Sequence, residues 1–528
     1  MGTKISKLAD FPLNTNLEHD DSLMTAIQRF YSAINSNGYR SRRFSTRADT
    51  ILNDRLVLLN SAQRCGLSPV VGQCLQSVKT QLGIHCNVQC AVCQIKEFRG
   101  HRYFCLICSN FDLCGDCFED RSFCAPHIPA HPVVCIRSPD SLFNDKSVID
   151  LNHVHPGCVC SLCKSSIFGV RFRCDDCVDY DLCTKCFMSG NVSESHETGH
   201  CVIAHLSSIE YHVNLADVSI GEKIGHGKFG GVYVAKLRGK RVACKMIEYD
   251  FRNDHSHSNS ALAARLQITT MQNEMRLYQE LCSNYIVDYY GSYEECKKYK
   301  SGRYERIKGK HLIFIELMDN CTLEDLIHGG GGRDKKPVSL YRKFKLMFCV
   351  LRGIARLHKK GITHKDIKPD NIFLDSFNSV KIGDLGIAIS SFGICDELKY
   401  VRQRVYYSPT DSIFAPASDI YSFGLVLNEV FTRCKHVIAL GQQVKLEHSP
   451  YFPEVIRHCT FPSMNTRPTA KEILQYFQKF HSFFIQYLGE NVYKFFYHFS
   501  NPRKDELFRL GYIEFIKSIG VFRRPAGS

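Results

Sequence analysis

"HKDIKPDN", residues 364–371, gathers two lysines, two carboxylates and an amide into eight positions. Alone it reads as chemistry or as a solvated loop, and its surroundings decide between them. Upstream runs "IGHGKFGGVYVAKLRGKRVACK", residues 224–245, in which Gly225, Gly227 and Gly230 precede Val232 and then "VACK". A glycine loop can lay bare amides over phosphates, and Lys245 then reaches them from the following strands. Downstream, "DLG" begins at Asp384. A lone glycine pattern is weak, whereas five functional residues in order, Lys245, Asp366, Lys368, Asn371 and Asp384, are a specific signal.

The three segments together resemble the eukaryotic protein kinase domain, over about half the chain. The resemblance implies a bilobal α+β fold at 215–480 and phosphate transfer from ATP to serine or threonine, the acceptor class suggested by Lys368 two places after Asp366. It assigns Lys245 to the α and β phosphates and to a pair with Glu274 of "QNEMRLYQEL". Asp366 is expected to orient the acceptor hydroxyl and take its proton, and Lys368 to neutralise the moving phosphoryl group. Asn371 and Asp384 are expected to hold Mg²⁺. Val232, Ala243 and the hinge at Glu316 to Met318 complete the nucleotide-binding set, with Ile315 behind the adenine pocket. The departures concern control and docking. Lys365 stands where arginine is usual and lacks the planar fork that grips a phosphorylated loop, so control by loop phosphorylation is not expected. Gln403 replaces a threonine, and "YYSPTD" leaves Arg467 without its usual acidic partner unless Asp411 substitutes. "DFRNDHSHSNSALAARLQ" reads as an insertion ahead of Glu274. The alternative function is a scaffold that binds nucleotide without transferring phosphate.

Of 27 cysteines, seventeen lie between Cys86 and Cys201, mostly as C-x-x-C pairs. Such pairs are poor disulfides and good chelates, and with no apolar leader at the N-terminus a reducing, intracellular and cytoplasmic setting with zinc is expected. Two units, 85–136 and 155–205, repeat one register. Cys105, Cys108, Cys114, Cys117, His127 and His131 recur 69 positions later as Cys174, Cys177, Cys183, Cys186, His196 and His200. Cys90 and Cys93 recur as Cys160 and Cys163. Eight ligands per unit serve two tetrahedral ions, and metals supply stability that about 50 residues cannot bury for themselves. His153, His155 and His205 lie near enough to compete as ligands.

Both units resemble the ZZ-type zinc finger through "CAVC…RYFCLICSNFDLCGDCF…HIPAH" and "CSLC…RFRCDDCVDYDLCTKCF…HETGH". That resemblance implies a cross-brace, with Cys90, Cys93, Cys114 and Cys117 at one site and Cys105, Cys108, His127 and His131 at the other. In the second finger the sets become Cys160, Cys163, Cys183 and Cys186, then Cys174, Cys177, His196 and His200. The fingers are expected to fold independently and to recruit protein partners. Asp179 and Asp181 are candidate acceptors for the free amino terminus of a peptide.

The overall architecture is therefore multidomain, two zinc-stabilised fingers ahead of a kinase fold. Residues 1–84 carry short helical patterns such as "SLMTAIQRFYSAI", and 481–528 form an aromatic-rich extension of unassigned role. "MGTKISK" resembles an N-myristoylation signal, an ordinary start being the alternative; acylated Gly2 would permit peripheral membrane contact. The formal charge of +14 is spread along the chain, and zinc thiolates lower it, so nucleic acid is not an expected partner. The densest basic stretch, "CKKYKSGRYERIKGK" at 296–310, reads as a solvated loop.

Overall fold

The computed structural model describes residues 83–108, 110–137, 154–177, 180–190, 196, 200–205, 213–227, 230–253, 259–281, 283–301, 304–329, 337–375, 379–390, 406, 415–435, 449–492, 495 and 500–523. All of these lie in one compact unit spanning 59–528. The N-terminal helical pattern, Gly2, Asp179, Gln403 and Asp411 fall outside the described residues.

Each finger is a small hairpin followed by one short helix and a third strand. In the first, β1 (Arg102–Cys105) pairs antiparallel with β2 (Asp112–Cys114), helix α1 (Gly115–Glu119) follows, and β3 (Val133–Ile136) lies on the other side of β1. In the second, β4 (Val154–Val159) and β5 (Ser166–Phe168) precede β6 (Arg171–Cys174), β7 (Asp181–Cys183), α2 (Thr184–Met188) and β8 (Val202–His205). The repeat closes on itself, because β3 and β8 pair in parallel at Val133 and Ile203, giving one sheet in the order β2-β1-β3-β8-β6-β7.

Alternation along these two strands mixes the finger cores. Val133, Cys201 and Ile203 pack with Tyr103, Leu113 and Phe118 of the first finger. Their neighbours Val134, Ile136, Val202 and Ala204 pack with Phe172, Tyr180 and Leu182 of the second. A strand presents successive side chains to opposite faces, so β3 and β8 serve both cores at once. Independent folding of the fingers is thus corrected: they form one body.

The next layer is an antiparallel sheet in the order β12-β13-β11-β10-β9. Its strands are β9 (Val218–Gly227), β10 (Gly230–Leu237), β11 (Lys240–Asn253), β12 (Tyr289–Ser301) and β13 (Tyr304–Glu316). Helix α3 (Asn259–Glu280) packs on it through Met271, Leu277 and Tyr278, against Tyr249, Phe251 and Ile313. Of the supposed insertion, 250–253 end β11 and 259–267 form the first turns of α3, and 254–258 lie outside the described residues. The basic stretch is a hairpin rather than a loop, paired out to Ser301 and Tyr304. Ile307 lies against the core under α3, while Lys298 and Lys308, its paired partner and its chain neighbour, are charged.

The second lobe is helical: α4 (Leu340–Lys359), α5 (Pro416–Thr432), α6 (Pro453–Cys459), α7 (Ala470–Leu488) and α8 (Asn501–Ile519). Thr469 and Glu472 form a reciprocal cap that starts α7. Between α4 and α5 run short strands β15 (Ile362–Thr363), β16 (Ile372–Leu374), β17 (Val380–Ile382) and β18 (Ile389–Ser390); β14 (Cys321–Thr322) pairs with β16. The aromatic extension belongs to this lobe. Helix α7 runs through the expected boundary at 480, and Phe484, Phe495, Phe508 and Phe515 join Phe344, Phe452 and Phe480 in one core. Gly511 lets α8 approach closely, since a Cβ there would stand 2.7 Å from the Phe484 ring.

Candidate functional site

The cleft between the lobes collects the residues named from sequence. On β10 and β11, Val232 pairs with both Gly225 and Lys245, and Ala243 pairs with Ile315 on β13. Gly227 and Gly230 pair where the glycine hairpin turns back. A Cβ on Gly230 would lie 2.3 Å from the Met246 carbonyl oxygen, so only glycine fits there.

Lys245 Nζ donates to Glu274 Oε2 at 2.5 Å and to Asp384 Oδ1 at 2.9 Å. Burial alone would discharge this amine, but Asp384 and Glu274 outweigh it and hold its pKa above the ordinary lysine value. Burial raises the pKa of Glu274, which is 1% exposed, while Lys245 opposes that rise. Lys245 draws Asp384 below its usual range. The Asp384 side chain is 41% exposed, a carboxylate presented to the cleft rather than sealed in the core.

The loop of 364–371 is pinned from below. Asp419, fully buried on α5, accepts from the backbone N–H of His364 (2.8 Å) and of Lys365 (2.9 Å), and its Oδ2 meets His358 Nε2 at 2.9 Å. Lys365 sits at φ 65°, a left-handed conformation that this double anchor maintains. Above it, Asp366 Oδ2 accepts from Lys368 Nζ at 3.0 Å and Asn371 Nδ2 at 2.8 Å. Helix α3 also reaches across, Asn273 Nδ2 donating to the carbonyls of Gly386 (3.3 Å) and Ala388 (2.8 Å). At the hinge, Glu316 N–H donates to the Asp288 carbonyl and its carboxylate accepts from Lys381 at 2.6 Å; Met318 and Ile315 border the core under α3. Sequence reading missed Asp419 and Asn273. The signal for the first was an acid inside "ASDIYSFGLVL", a run too apolar to carry a charge without a task.

The sixteen predicted metal ligands converge as four quartets, in the sets expected, each with its donor atoms within 4.8 Å of one another. A tetrahedral zinc thiolate site has sulfur–sulfur edges of about 3.8 Å. Cys93 and Cys114 stand 3.7 Å apart and Cys163 and Cys183 3.9 Å, far beyond disulfide length. His131 Nδ1 lies 3.2 Å from Cys108 Sγ, as does His200 Nδ1 from Cys177 Sγ. His127 Nδ1 is buried with no hydrogen-bond partner, as a ligand atom awaiting an ion would be. His155 instead bonds the Gly169 carbonyl. The donor chemistry fits zinc.

Asp181 is not a free carboxylate. It is 3% exposed and accepts both prongs of Arg171, at 2.8 and 2.7 Å; Asp112 and Arg102 repeat the pair in the first finger. An incoming ammonium group would have to share Asp181 with, or displace, a guanidinium already in place. Arg467 donates to the carbonyls of Phe461, Ala417 and Pro462 and lies over the Tyr421 ring.

These features define a two-lobed cleft of the protein kinase type and a pair of fingers whose donor sets fit zinc. The protein kinase domain family matches residues 218–481, half of the chain, and the ZZ-type zinc finger family matches 84–129 and 154–198. The chain belongs to the protein kinase family, with two ZZ-type fingers preceding its kinase domain. It is 27% identical over 285 residues to a Dictyostelium discoideum protein named "Probable serine/threonine-protein kinase", covering 50% of this chain and 51% of that one. It is 24% identical over 296 residues to stress-activated protein kinase alpha of the same organism (50% and 41%). Human mitogen-activated protein kinase kinase kinase 3 matches at 25% over 276 residues (48% and 40%). The chain thus spans about half the length of these relatives or less. Among the described residues no helix is long and apolar enough to cross a membrane.

Proposed function

We propose that the chain is an active serine/threonine protein kinase that transfers the γ-phosphate of ATP to protein substrates, working inside the cell where zinc thiolates stay reduced. The observation that carries this reading is the closed pairing of Lys245 with both Glu274 and Asp384 above an anchored Asp366. Lys245, kept charged, aligns the nucleotide phosphates, and the glycine strands β9 and β10 cover them. Lys368 and Asn371 both bond Asp366 Oδ2, which leaves Oδ1 to receive the proton of the acceptor hydroxyl. Lys368, next to Asp366, also offsets charge on the moving phosphoryl group. Asn371 and Asp384 carry the oxygen donors suited to Mg²⁺, which when bound would neutralise phosphate charge. The family resemblance and the acceptor preference of the relatives support serine and threonine.

The test is phosphate transfer from ATP to a peptide library. Asp366→Asn and Asp384→Asn are expected to lower transfer by orders of magnitude with unchanged circular dichroism. Wild-type transfer no greater than that of Asp366→Asn makes the chain a nucleotide-binding scaffold instead.

A further inference from the structure

The fingers are seated on the kinase domain, and the seat is built from the residues around their zinc ligands. Along one side of α4, Arg352, Arg356 and Lys359, with Lys360 just beyond, form a basic stripe. Asp175, 1% exposed between Cys174 and Cys177, takes Arg356 through both oxygens at 2.5 and 2.7 Å and Arg121 of the first finger at 2.5 Å. Asp176 takes Lys359 at 2.5 Å, and Lys360 donates to the carbonyl of the ligand Cys174 at 3.2 Å. Asp120 of the first finger takes Arg352 at 2.7 Å.

A second contact holds the segment 283–288, which joins α3 to β12. Asn284 N–H donates to Glu119 (2.9 Å), and Asn284 Oδ1 accepts from the His101 N–H (2.7 Å). Tyr285 donates to Asp116 at 2.5 Å. His101 Nε2 meets Asp288 at 3.1 Å, and Asp288 continues through Lys381 (3.3 Å) to Glu316 of the hinge (2.6 Å). The fit is close. A Cβ on Gly115 would lie 1.9 Å from Asn284 Nδ2, one on Gly100 2.9 Å from Asn284 Oδ1, and the three nearest atoms to each belong to Asn284. Two glycines of the finger make the slot for one kinase side chain.

No apolar cluster is shared between fingers and kinase among the described residues. The joint is polar, finger acids meeting the basic stripe of α4 and His101 meeting Asp288, which is the make-up of a contact that can open. What it grips matters for the cleft. Segment 283–288 continues the helix that carries Glu274. It also brackets β17, with Ile382 N–H donating to the Tyr285 carbonyl and Val287 N–H to the Ile382 carbonyl, two residues before Asp384.

We propose that the tandem fingers act in cis as a releasable clamp: docked, they hold α3 and β17 in the register that pairs Lys245 with Glu274 and Asp384. Release loosens that register and weakens nucleotide binding. The proposal rests on reading the cleft as a nucleotide site, and its test reads docking separately.

The decisive variant is Gly115→Ala in the full-length protein. Gly115 opens α1 without a left-handed φ, so alanine suits the helix, and the three nearest atoms its Cβ would meet all belong to Asn284. The expected result is unchanged zinc content, faster amide exchange over 283–288 and 380–384, and affinity for a non-hydrolysable ATP analogue lowered about tenfold, within the usual range of intersite coupling. Adding Asn284→Ala empties the slot and is expected to restore both exchange protection and affinity. Lys359→Glu, a partly exposed change on the kinase side that repels Asp176, is expected to reproduce the loss with the first finger untouched, and it decides the matter if Gly115→Ala loses zinc. Unchanged exchange in both single variants overturns the docking. Faster exchange with unchanged affinity overturns the coupling. Wild-type protein that binds no analogue overturns the reading of the cleft and the clamp with it.

Discussion

Replacing Lys245 by methionine tests more than catalysis, because it leaves Glu274 stranded. That carboxylate is 1% exposed, and among the described residues Lys245 is its one cationic partner. Breaking a buried pair by removing one member costs about 3–5 kcal/mol. At roughly 2–4 °C per kcal/mol for a domain of this size, the kinase transition is expected to fall by about 6–20 °C. The converse change is milder: Glu274→Gln leaves Lys245 paired with the half-exposed Asp384 at 2.9 Å, so its cost is that of one charged hydrogen bond, about 1.5–3 kcal/mol. The pH dependence carries a definite sign. Burial already raises the pKa of Glu274 with Lys245 present, and without the lysine it rises further. A group whose folded pKa is raised stabilises the folded state below its unfolded pKa and loses that contribution as pH climbs through the folded value. The Lys245→Met deficit should therefore grow as pH rises above the ordinary carboxylate range, by up to about 1.4 kcal/mol per pH unit until the raised folded value is passed. The double variant, with neither charge, is expected to be more stable than Lys245→Met alone at pH 8. Thermal unfolding followed by near-ultraviolet circular dichroism, each variant against wild type at the same pH, measures all of this. A deficit that is flat with pH, or smaller than that of Glu274→Gln, refutes the reasoning.

Two further changes probe the scaffold around the cleft. Cys183→Ser removes a candidate ligand of the second finger, and because β3 and β8 feed both cores it should also lower exchange protection in β1 and β2 and reduce the zinc content, expected at four ions for four quartets, by more than one; loss confined to 154–205 contradicts the shared core. Asp419→Ala leaves the N–H groups of His364 and Lys365 buried without their acceptor, at about 1–3 kcal/mol each, and should lower both the kinase melting temperature and kcat; unchanged kcat in folded protein removes Asp419 from the support of Asp366.

The kinase cleft was legible because its chemistry demands fixed residue types in a fixed order, and the zinc quartets because one register is written twice. Several of the corrections share an origin in strand pairing. A charged stretch such as 296–310 has no visible partner until β12 and β13 align, and only then does its alternation read as a hairpin. Arg171 and Asp181 stand ten residues apart, as do Arg102 and Asp112, and each pair meets across a hairpin. That repeated spacing was the available sign that Asp181 is already paired. The aromatic C-terminus looked like a tail because its partners, Phe344 and Phe452, lie far upstream.

The docking of fingers on kinase was beyond reach for a different reason. Asp175 and Asp176 lie inside a C-x-x-C knuckle, where an acid reads as solvated or as shaping its own turn. Yet the knuckle is where a carboxylate can be aimed most cheaply. Metal ligation fixes the backbone on both sides of the pair, so much of the entropy of ordering these side chains is already spent before they meet α4. Five acids of the two fingers, Asp116, Glu119, Asp120, Asp175 and Asp176, reach the kinase, and each lies within three residues of a zinc ligand. Loss of metal would free those backbones together and weaken every contact at once, which ties the integrity of the metal sites to the register of the cleft.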